Sequence, residues 1–405
     1  MKKKLARLLS LAVAGVLTFG MITGCGSDTG ATTSDEGTKT EDAADEGTKT
    51  EDAADAGKAV KIGVLVADVS GEEALGFRSY YENYIAENYN VEFAYTDALA
   101  SAEEEKAAIE KFAAQGYEAI ISLSSADRAM QIETCEELGV YYAIATGVLD
   151  EAQYETYKGY EHFVGQVGPS NQTEFEAGQE MGAYFKEQGI KKVALYGAFI
   201  PSPMHVYRTA GVIVGLGDTY GGASDMDAVA GQIFGDQGID LTKVAGDVEI
   251  VAYLQGYGDT TTDELNAAIQ KEPEAFLSVG MATTFFAQPL NEAGIAFSDI
   301  DSFTEMNGSS IKDGKLTYLA GKYSSSIGPV FALVMNAVNG NVIRDAEGNA
   351  VSFSQEYLVA TDGDTFDQYY VSDNGDSPIY DKATLDGIIG EDITYDLVKS
   401  LIESN

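Results

Sequence analysis

Apolar and polar positions follow two alternating patterns over most of the chain. The apolar run at residues 62–67 is followed by helical spacing over residues 72–88, and such pairs repeat up to residue 165. The same alternation begins again at residue 174 and continues to residue 338. Strands that alternate with helices at this spacing form parallel sheets covered by helices on both faces. The pattern therefore predicts an α/β chain with two doubly wound, Rossmann-like lobes.

These patterns place the individual elements along the chain. Strands are expected at 62–67, 91–95, 119–123, 140–145, 162–165, 192–197, 248–254, 275–279 and 315–320. Helices are expected at 72–88, 101–115, 127–138, 174–188, 206–216, 262–271, 285–293, 328–338 and 393–403. The Gly- and Asp-rich residues 217–247 are expected to form an excursion, and residues 342–353 have a hairpin-like pattern.

The N-terminal segment has the pattern of an export signal. Three lysines at positions 2–4 precede an uncharged apolar run over residues 8–22, which is too short for a comfortable membrane span. The run closes on Ile22-Thr23-Gly24-Cys25, which resembles the bacterial lipobox, where the Cys receives a diacylglyceryl group. We therefore expect residues 1–24 to be a lipoprotein signal peptide and acylated Cys25 to anchor the protein to a membrane. An ordinary signal peptide followed by a chance cysteine is the alternative.

Composition separates a linker from the folded part and limits the partners. Residues 25–61 contain two copies of a ten-residue segment and no large apolar side chain before Val60, which predicts a disordered acidic linker. The whole chain has 25 Lys+Arg against 65 Asp+Glu, a net charge of −40. Because a polyanion repels nucleic acid, we expect no nucleic-acid partner.

The sequence lacks the motifs of common enzymes and metal sites. It has no Gly-x-Gly-x-x-Gly after the first strand, no Walker loop and no Gly-x-Ser-x-Gly elbow. Two His and two Cys leave little scope for a metal centre, and Cys135 is expected to be a small buried residue. The acidic runs at 362–364 and 373–376 lack the spacing of a calcium loop and are expected to be solvated turns. These absences favour a binding protein without cofactor over an enzyme.

The candidate binding residues lie just after the predicted strands. In open α/β sheets, the ligand crevice lies outside the carboxyl ends of the strands. The polar, aromatic and thioether side chains at these positions are Asp68, Ser70, Ser124, Ser125, Thr146, His205, Arg208, Tyr257, Met281, Glu305, Asn307 and Lys322.

Several of these candidates also have a structural interpretation. Arg208 can pair with a carboxylate, and Lys322 can form a salt bridge at a hinge. His205 can be a structural hydrogen-bonding residue, and Tyr257 can pack beneath a loop. The sequence leaves both interpretations open for each of the four residues.

Four short segments and their order resemble one protein family. They are Ile62-Gly63-Val64-Leu65, Gln115-Gly116-Tyr117-Glu118-Ala119-Ile120-Ile121, Tyr207-Arg208-Thr209-Ala210-Gly211-Val212 and Ile311-Lys312-Asp313-Gly314-Lys315-Leu316. Preceded by a lipobox, this order over about residues 60–340 resembles the type I periplasmic binding proteins of bacterial ABC importers, in particular the ribose- and galactose-binding branch.

The resemblance implies an architecture and a mode of action. Three crossovers form a hinge between the lobes, here near 165–167, 303–306 and 321–323, and the lobes close on a ligand before the loaded protein docks on a membrane permease. It implies a first lobe of residues 62–165 plus about 323–358, a second lobe of 166–322, and a tail, 359–405, that packs on the lobes.

The resemblance also implies roles for individual residues. Arg208 matches the Arg that donates to sugar oxygens, and Lys322 matches a polar ligand-contacting residue at the last crossover. Residues 145–147 and 280–281 depart from the Asp-Arg and Asn-Asp pairs that are usual in sugar binders. Trp is absent from the sequence, so any stacking on a sugar falls to Tyr or Phe, with Tyr257, Tyr207, Phe199 and Tyr323 as the candidates.

Together these features predict a monomeric, lipid-anchored receptor on the outer face of the membrane of a Gram-positive-type cell. Its solute is expected to be a small polar molecule, with a sugar or sugar derivative first, delivered to an ABC permease. The alternatives are a nucleoside-type or other small-metabolite receptor, and a ligand sensor for a membrane signalling protein.

Overall fold

The computed structural model describes residues 58–374 and 378–404. The chain from Gly57 to Asn405 forms one compact unit, and its hydrophobic cores are built from its own residues, so it can be produced and tested by itself. The predicted signal peptide, Cys25 and the linker up to residue 57 lie outside the described residues. Within the described ranges, no helix has the length and apolar character needed to cross a membrane.

Fourteen strands and fifteen α-helices are described. The strands are β1 (Val60–Val66), β2 (Val91–Tyr95), β3 (Ala119–Leu123), β4 (Tyr141–Ile144), β5 (Phe163–Val167), β6 (Lys192–Tyr196), β7 (Thr219–Tyr220), β8 (Val244–Ala245), β9 (Glu249–Leu254), β10 (Ala275–Ser278), β11 (Ala296–Ile300), β12 (Leu316–Gly321), β13 (Val351–Phe353) and β14 (Leu358–Ala360). The helices are α1 (Glu72–Ser79), α2 (Ala86–Asn88), α3 (Ala102–Ala114), α4 (Arg128–Leu138), α5 (Glu151–Tyr157), α6 (Asn171–Glu187), α7 (Pro203–Gly215), α8 (Met226–Asp236), α9 (Thr261–Ile269), α10 (Ala282–Ala293), α11 (Glu305–Lys312), α12 (Gly328–Val338), α13 (Gly363–Asn374), α14 (Lys382–Asp386) and α15 (Tyr395–Glu403).

The first lobe is built on a six-stranded parallel sheet. The strand order is β13-β5-β4-β3-β1-β2, and Val64 of β1 is in register with Tyr95 of β2 and Ile121 of β3. Ile62, Val64 and Leu65 are fully buried because helices cover both faces of the sheet. Strand β1 begins at Val60, inside the stretch predicted as linker.

The second lobe repeats this arrangement with one antiparallel edge. The strand order is β14-β12-β11-β10-β6-β9, and β14 runs antiparallel to β12. The sequence pattern missed β11, because the fully buried Ser298 and Asp299 interrupt its apolar run. The Asp299 carboxylate accepts hydrogen bonds from Ser278 Oγ at 3.0 Å and from the Thr283 amide at 3.2 Å, which offsets part of its burial cost.

Other differences from the predicted elements concern short or polar segments. Helices α5 and α11 were not predicted, and the excursion at residues 217–247 contains α8 and a two-stranded ribbon of β7 and β8. The predicted helix over residues 72–88 consists of α1, a π-helical segment at Tyr80–Ile85 and α2. In the hairpin-like stretch, a single antiparallel bridge joins Arg344 to Ala350, and β13 pairs in parallel with β5.

The chain passes between the two sheets at residues 168–170, 322–327 and 354–357. The crossover expected near 303–306 is not one of these passages, because those residues connect β11 to α11 within the second lobe. The third passage instead joins β13 to β14, two three-residue strands that carry too little pattern to be recognised.

The C-terminal tail is shared between the lobes. Helix α13 packs on the second lobe, where Phe366 is part of the core. Tyr380, Leu385 and Val398, further along the chain, belong to the core of the first lobe.

Candidate functional site

The two lobes touch at the carboxyl edges of their sheets. Glu73, in the first turn of α1, accepts a hydrogen bond from Ser302 Oγ, which follows β11 of the second lobe. Glu72 accepts a bond from the Met306 amide at 3.1 Å, at the start of α11. Because α1 follows β1 and α11 follows β11, these contacts show that the two carboxyl edges face each other across a cleft.

Arg208 is buried in the second lobe and has several partners. Its Nε lies 2.6 Å from Glu174 Oε2, and its Nη1 donates to the carbonyl oxygens of Val279 and Ile300 at 2.8 and 3.2 Å. Burial is the largest single influence and lowers the pKa of the guanidinium, but Glu174 and Tyr357 together raise that pKa above its ordinary value. The contacts of Arg208 therefore match the structural interpretation, in which it pairs with a carboxylate.

Close packing of α6 against α7 brings Arg208 and Glu174 together. A Cβ atom added to Gly178 would overlap the carbonyl oxygen of Arg208, and one added to Gly211 would overlap that of Phe175. Glycine at these helix positions lets the backbones approach, so the two charged side chains meet in the buried interface between the helices.

Lys322, at the second passage between the lobes, lies near a carboxylate of the first lobe. Its Nζ is 3.7 Å from Glu73 Oε1 and 5.8 Å from the centre of the Tyr357 ring. The side chain of Lys322 is only 14% exposed, whereas that of Glu73 is 42% exposed. The contacts of Lys322 correspond to a hinge salt bridge at the edge of the cleft.

An exposed apolar surface lies at the carboxyl ends of β6, β9 and β10. Tyr257 is 58% exposed and its ring stacks on Phe285, with the ring centres 4.2 Å apart and the planes at 22°. Phe199 and Met281 are 40% and 37% exposed and follow β6 and β10. We call Phe199, Tyr257, Met281 and Phe285 the aromatic platform. Such a surface offers an apolar face to a ligand in the cleft.

His205 lies buried beside this platform. Its Nδ1 is 3.4 Å from the carbonyl oxygen of Phe199, and its ring centre is 5.9 Å from that of Phe199. Burial lowers the pKa of His205 to about 3, and the nearby Arg208 adds to this effect. His205 is therefore a neutral hydrogen-bonding group at neutral pH.

The candidates after β1 form a turn whose polar groups hydrogen-bond to one another. Asp68 accepts hydrogen bonds from the amides of Ser70 and Gly71 at 2.9 and 3.0 Å and from Ser70 Oγ at 3.1 Å. The amide of Ser70 lowers the pKa of the Asp68 carboxyl most strongly. Both side chains are exposed just before α1.

The candidates after β3 and β4 differ in exposure. Ser124 is buried and donates to Glu105, whereas Ser125 is exposed. Thr146 is half-buried, and its carbonyl oxygen accepts a hydrogen bond from Arg128 Nη2 at 2.5 Å. Ser124 thus has a structural partner, and Ser125 remains available at the carboxyl edge.

The two candidates on α11 point in different directions. Glu305 is exposed at the first residue of the helix. Asn307 is buried, and its Nδ2 donates to the carbonyl oxygen of Ser302 at 2.8 Å. Asn307 thereby fixes the loop that presents Ser302 to Glu73.

A separate pocket of about 690 Å³ is lined by residues of both lobes. The lining residues are Asp150, Glu151, Ala152, Glu155, Asn171, Tyr207, Met226 and Asp227. Tyr207 is the one proposed stacking residue on this surface. None of the twelve candidate residues that follow the predicted strands is among its lining residues.

The structure adds residues that the sequence did not single out. Glu73, Ser302 and Tyr357 lie at the interlobe contacts, and Glu174 pairs with Arg208. Tyr357 belongs to the third passage, which the sequence pattern did not reveal. Gly178 and Gly211 could have indicated the partner of Arg208, since small residues on two successive helices indicate that the helices pack closely. Such packing brings Glu174 of α6 next to Arg208 of α7.

The low pKa of His205 predicts a specific dependence of stability on pH. Below about pH 6.5 the unfolded chain binds a proton at His205, whereas the folded protein does so only near pH 3, so acid favours unfolding. In urea unfolding between pH 7 and 4.5, we expect the stability advantage of wild type over His205→Gln to fall by roughly 1.4 kcal/mol per pH unit below 6.5. Parallel curves for the two proteins would contradict this account.

Comparison with known proteins identifies the fold. No protein-family model matches the chain, and no curated protein sequence matches it. Among solved structures, similar ones include the periplasmic binding protein component of the arabinose ABC transporter from Shewanella sp. ANA-3, at 16% identity and TM-score 0.55, covering 78% of this chain and 95% of that one. A periplasmic solute-binding protein from Actinobacillus succinogenes 130z with bound D-allose has 16% identity and TM-score 0.57, covering 76% and 99%.

A solute-binding protein from Bacillus halodurans C-125 with bound myo-inositol is also similar, at 16% identity and TM-score 0.53, covering 78% of this chain and 99% of that one. At these identities the likeness concerns the fold. The chain has the two-lobe α/β fold of the type I periplasmic binding proteins, which confirms the predicted fold class.

Proposed function

We propose that this chain is an extracytoplasmic solute-binding protein of an ABC importer and that its solute is a sugar or a sugar derivative. The observation that carries the proposal is the cleft between two lobes of this fold. The aromatic platform, Ser302 and Lys322 follow strands of the second-lobe sheet, and Glu73 of the first lobe contacts Ser302 and Lys322 from the opposite side. The similar structures named above come from an arabinose transporter or hold D-allose or myo-inositol, which supports the same class of solute.

The chemistry of the cleft suits a neutral polyhydroxylated solute. A sugar ring has an apolar C–H face that stacks on aromatic rings, and Tyr257 and Phe199 expose such rings. Its hydroxyl groups both donate and accept hydrogen bonds, which the Glu73 carboxylate, Ser302 hydroxyl and Lys322 ammonium complement. Arg208 and Lys322 each lie beside a carboxylate, so a solute need not supply a negative charge.

The remaining parts of the proposal concern location and partners. The lipobox ending at Cys25 supports a lipid anchor on the outer face of the membrane of a Gram-positive-type cell. The folded unit then captures its solute as a monomer and delivers it to a membrane permease, without covalent chemistry.

A thermal-shift experiment on residues 57–405 tests the proposal. Against a panel of pentoses, hexoses, inositols and nucleosides, we expect at least one sugar or polyol to raise the melting temperature, because a ligand that binds only the folded state stabilises it by RT ln(1 + [L]/Kd), about 2.7 kcal/mol at 100 Kd. Tyr257→Ala is expected to remove most of this shift, because it removes a ring on which the sugar stacks. The variant should still fold, since the exposed ring contributes little to the core.

Leu138→Ala, which alters an exposed apolar side chain on α4, serves as the control and should retain the shift. No response to any sugar or polyol, or chemical conversion of one of them, would contradict the proposed function.

A further inference from the structure

A chain of polar contacts connects the two lobes through the hinge. It starts at the buried Glu174–Arg208 pair of the second lobe, continues through Tyr357 on the third passage and Lys322 on the second passage, and reaches Glu73 of the first lobe. Two of the three passages between the lobes are therefore joined by side chains, and Tyr357 stands in the middle.

The hydroxyl of Tyr357 ties the third passage to the second lobe. It accepts a hydrogen bond from Arg208 Nη2 at 2.5 Å and donates to Glu174 Oε2 at 3.0 Å. Arg208 and Glu174 are each only about 5% exposed, so these bonds are shielded from water. Hydrogen bonds to charged groups in such surroundings are stronger than those between neutral groups.

The ring of Tyr357 lies near two cations, the buried Arg208 and Lys322. The Arg208 Cζ atom lies 5.3 Å and the Lys322 Nζ atom 5.8 Å from the ring centre. A cation within about 6 Å of an aromatic face is attracted to it. The ring thus holds Lys322 where its ammonium lies 3.7 Å from Glu73 of the first lobe.

We propose that Tyr357 is a positioning residue that couples the two hinge passages: its hydroxyl anchors the third passage to Arg208 and Glu174, and its ring directs Lys322 toward Glu73. Tyr357 thereby sets how far the lobes separate. The part of this inference that concerns solute affinity rests on the proposed function, whereas the part that concerns lobe separation does not.

Pulsed electron–electron double resonance on residues 57–405 tests the coupling without any solute. Spin labels on cysteines introduced at the exposed positions Glu103 of α3 and Thr284 of α10 report the interlobe distance, and the native Cys135 is buried. Tyr357→Phe removes only the hydroxyl, and Tyr357→Leu also removes the ring. We expect both variants to shift the distance distribution to longer values, with the larger shift for Tyr357→Leu.

Tyr318→Phe is the matched control, because the Tyr318 hydroxyl is buried in β12 and has no hydrogen-bond partner among the described residues. It should leave the distribution unchanged. A Tyr357→Phe distribution that coincides with that of wild type would overturn the inference, even if this variant melts earlier. Should Tyr357→Leu fail to fold, Tyr357→Phe alone decides the question.

The two proposals fail separately. If no sugar raises the melting temperature but Tyr357→Phe lengthens the interlobe distance, the proposed function is wrong and the hinge coupling stands. If a sugar binds and the distance is unchanged, the coupling is wrong and the proposed function stands.

Discussion

Replacement of Arg208 by methionine is expected to lower the free energy of unfolding by about 3–5 kcal/mol. The variant would leave the Glu174 carboxylate buried without the guanidinium that now lies 2.6 Å away, since Glu174 is 5% exposed. The Tyr357 hydroxyl would be its only described side-chain donor. Urea unfolding at pH 7, followed by far-UV circular dichroism, measures the change.

Two further variants separate this effect from simple loss of an arginine. Arg78→Met removes an ion pair of similar geometry whose side chains are 44% and 37% exposed, and should cost less than about 1 kcal/mol. Combining Arg208→Met with Glu174→Leu should recover much of the loss, since an apolar pair can replace a buried ion pair. If Arg208→Met cost no more than Arg78→Met, Arg208 would lie in open solvent and the buried pair would be wrong.

Replacement of Gly211 by alanine is expected to destabilise the second lobe by about 1–3 kcal/mol or more. The added Cβ would overlap the carbonyl oxygen of Phe175 and lie 2.7 Å from the Gln179 amide nitrogen. Both atoms belong to the backbone of α6, so the helices must separate, which also pulls Glu174 away from Arg208.

Gly231→Ala supplies the control for this second prediction. Gly231 is exposed on α8, and an added Cβ would meet no described atom within 4 Å beyond its own stretch of helix. Alanine has the higher helix propensity, so this variant should be more stable than wild type by about 0.5–1 kcal/mol. Equal stability of the two variants would show that α6 and α7 are not in close contact.

The sequence carried enough information to predict the two-lobe fold and the edge of the sheets where the cleft lies. Buried parallel strands such as β1 have continuous apolar runs, and their alternation with helices determines the topology. The pattern failed where a buried strand contains an acidic residue, as with Asp299 in β11, and where β13 and β14 are too short to show a period.

The candidate residues were harder to predict, because sequence position does not reveal the partner of a side chain. Arg208 was expected at a strand-end cleft, yet its contacts depend on Glu174, which lies 34 residues earlier on another helix. Lys322 lies near Tyr357 of the third passage and Glu73 of α1, and only the folded chain brings these three residues together.

A crystal structure of residues 57–405 with the sugar that gives the largest melting shift tests the central claim most directly. We expect one sugar molecule per chain in the interlobe cleft, stacked on Tyr257 or Phe199 and within hydrogen-bond distance of groups from both lobes. A sugar bound elsewhere on the surface, or a cleft that stays free of sugar at saturating concentration, would contradict the account.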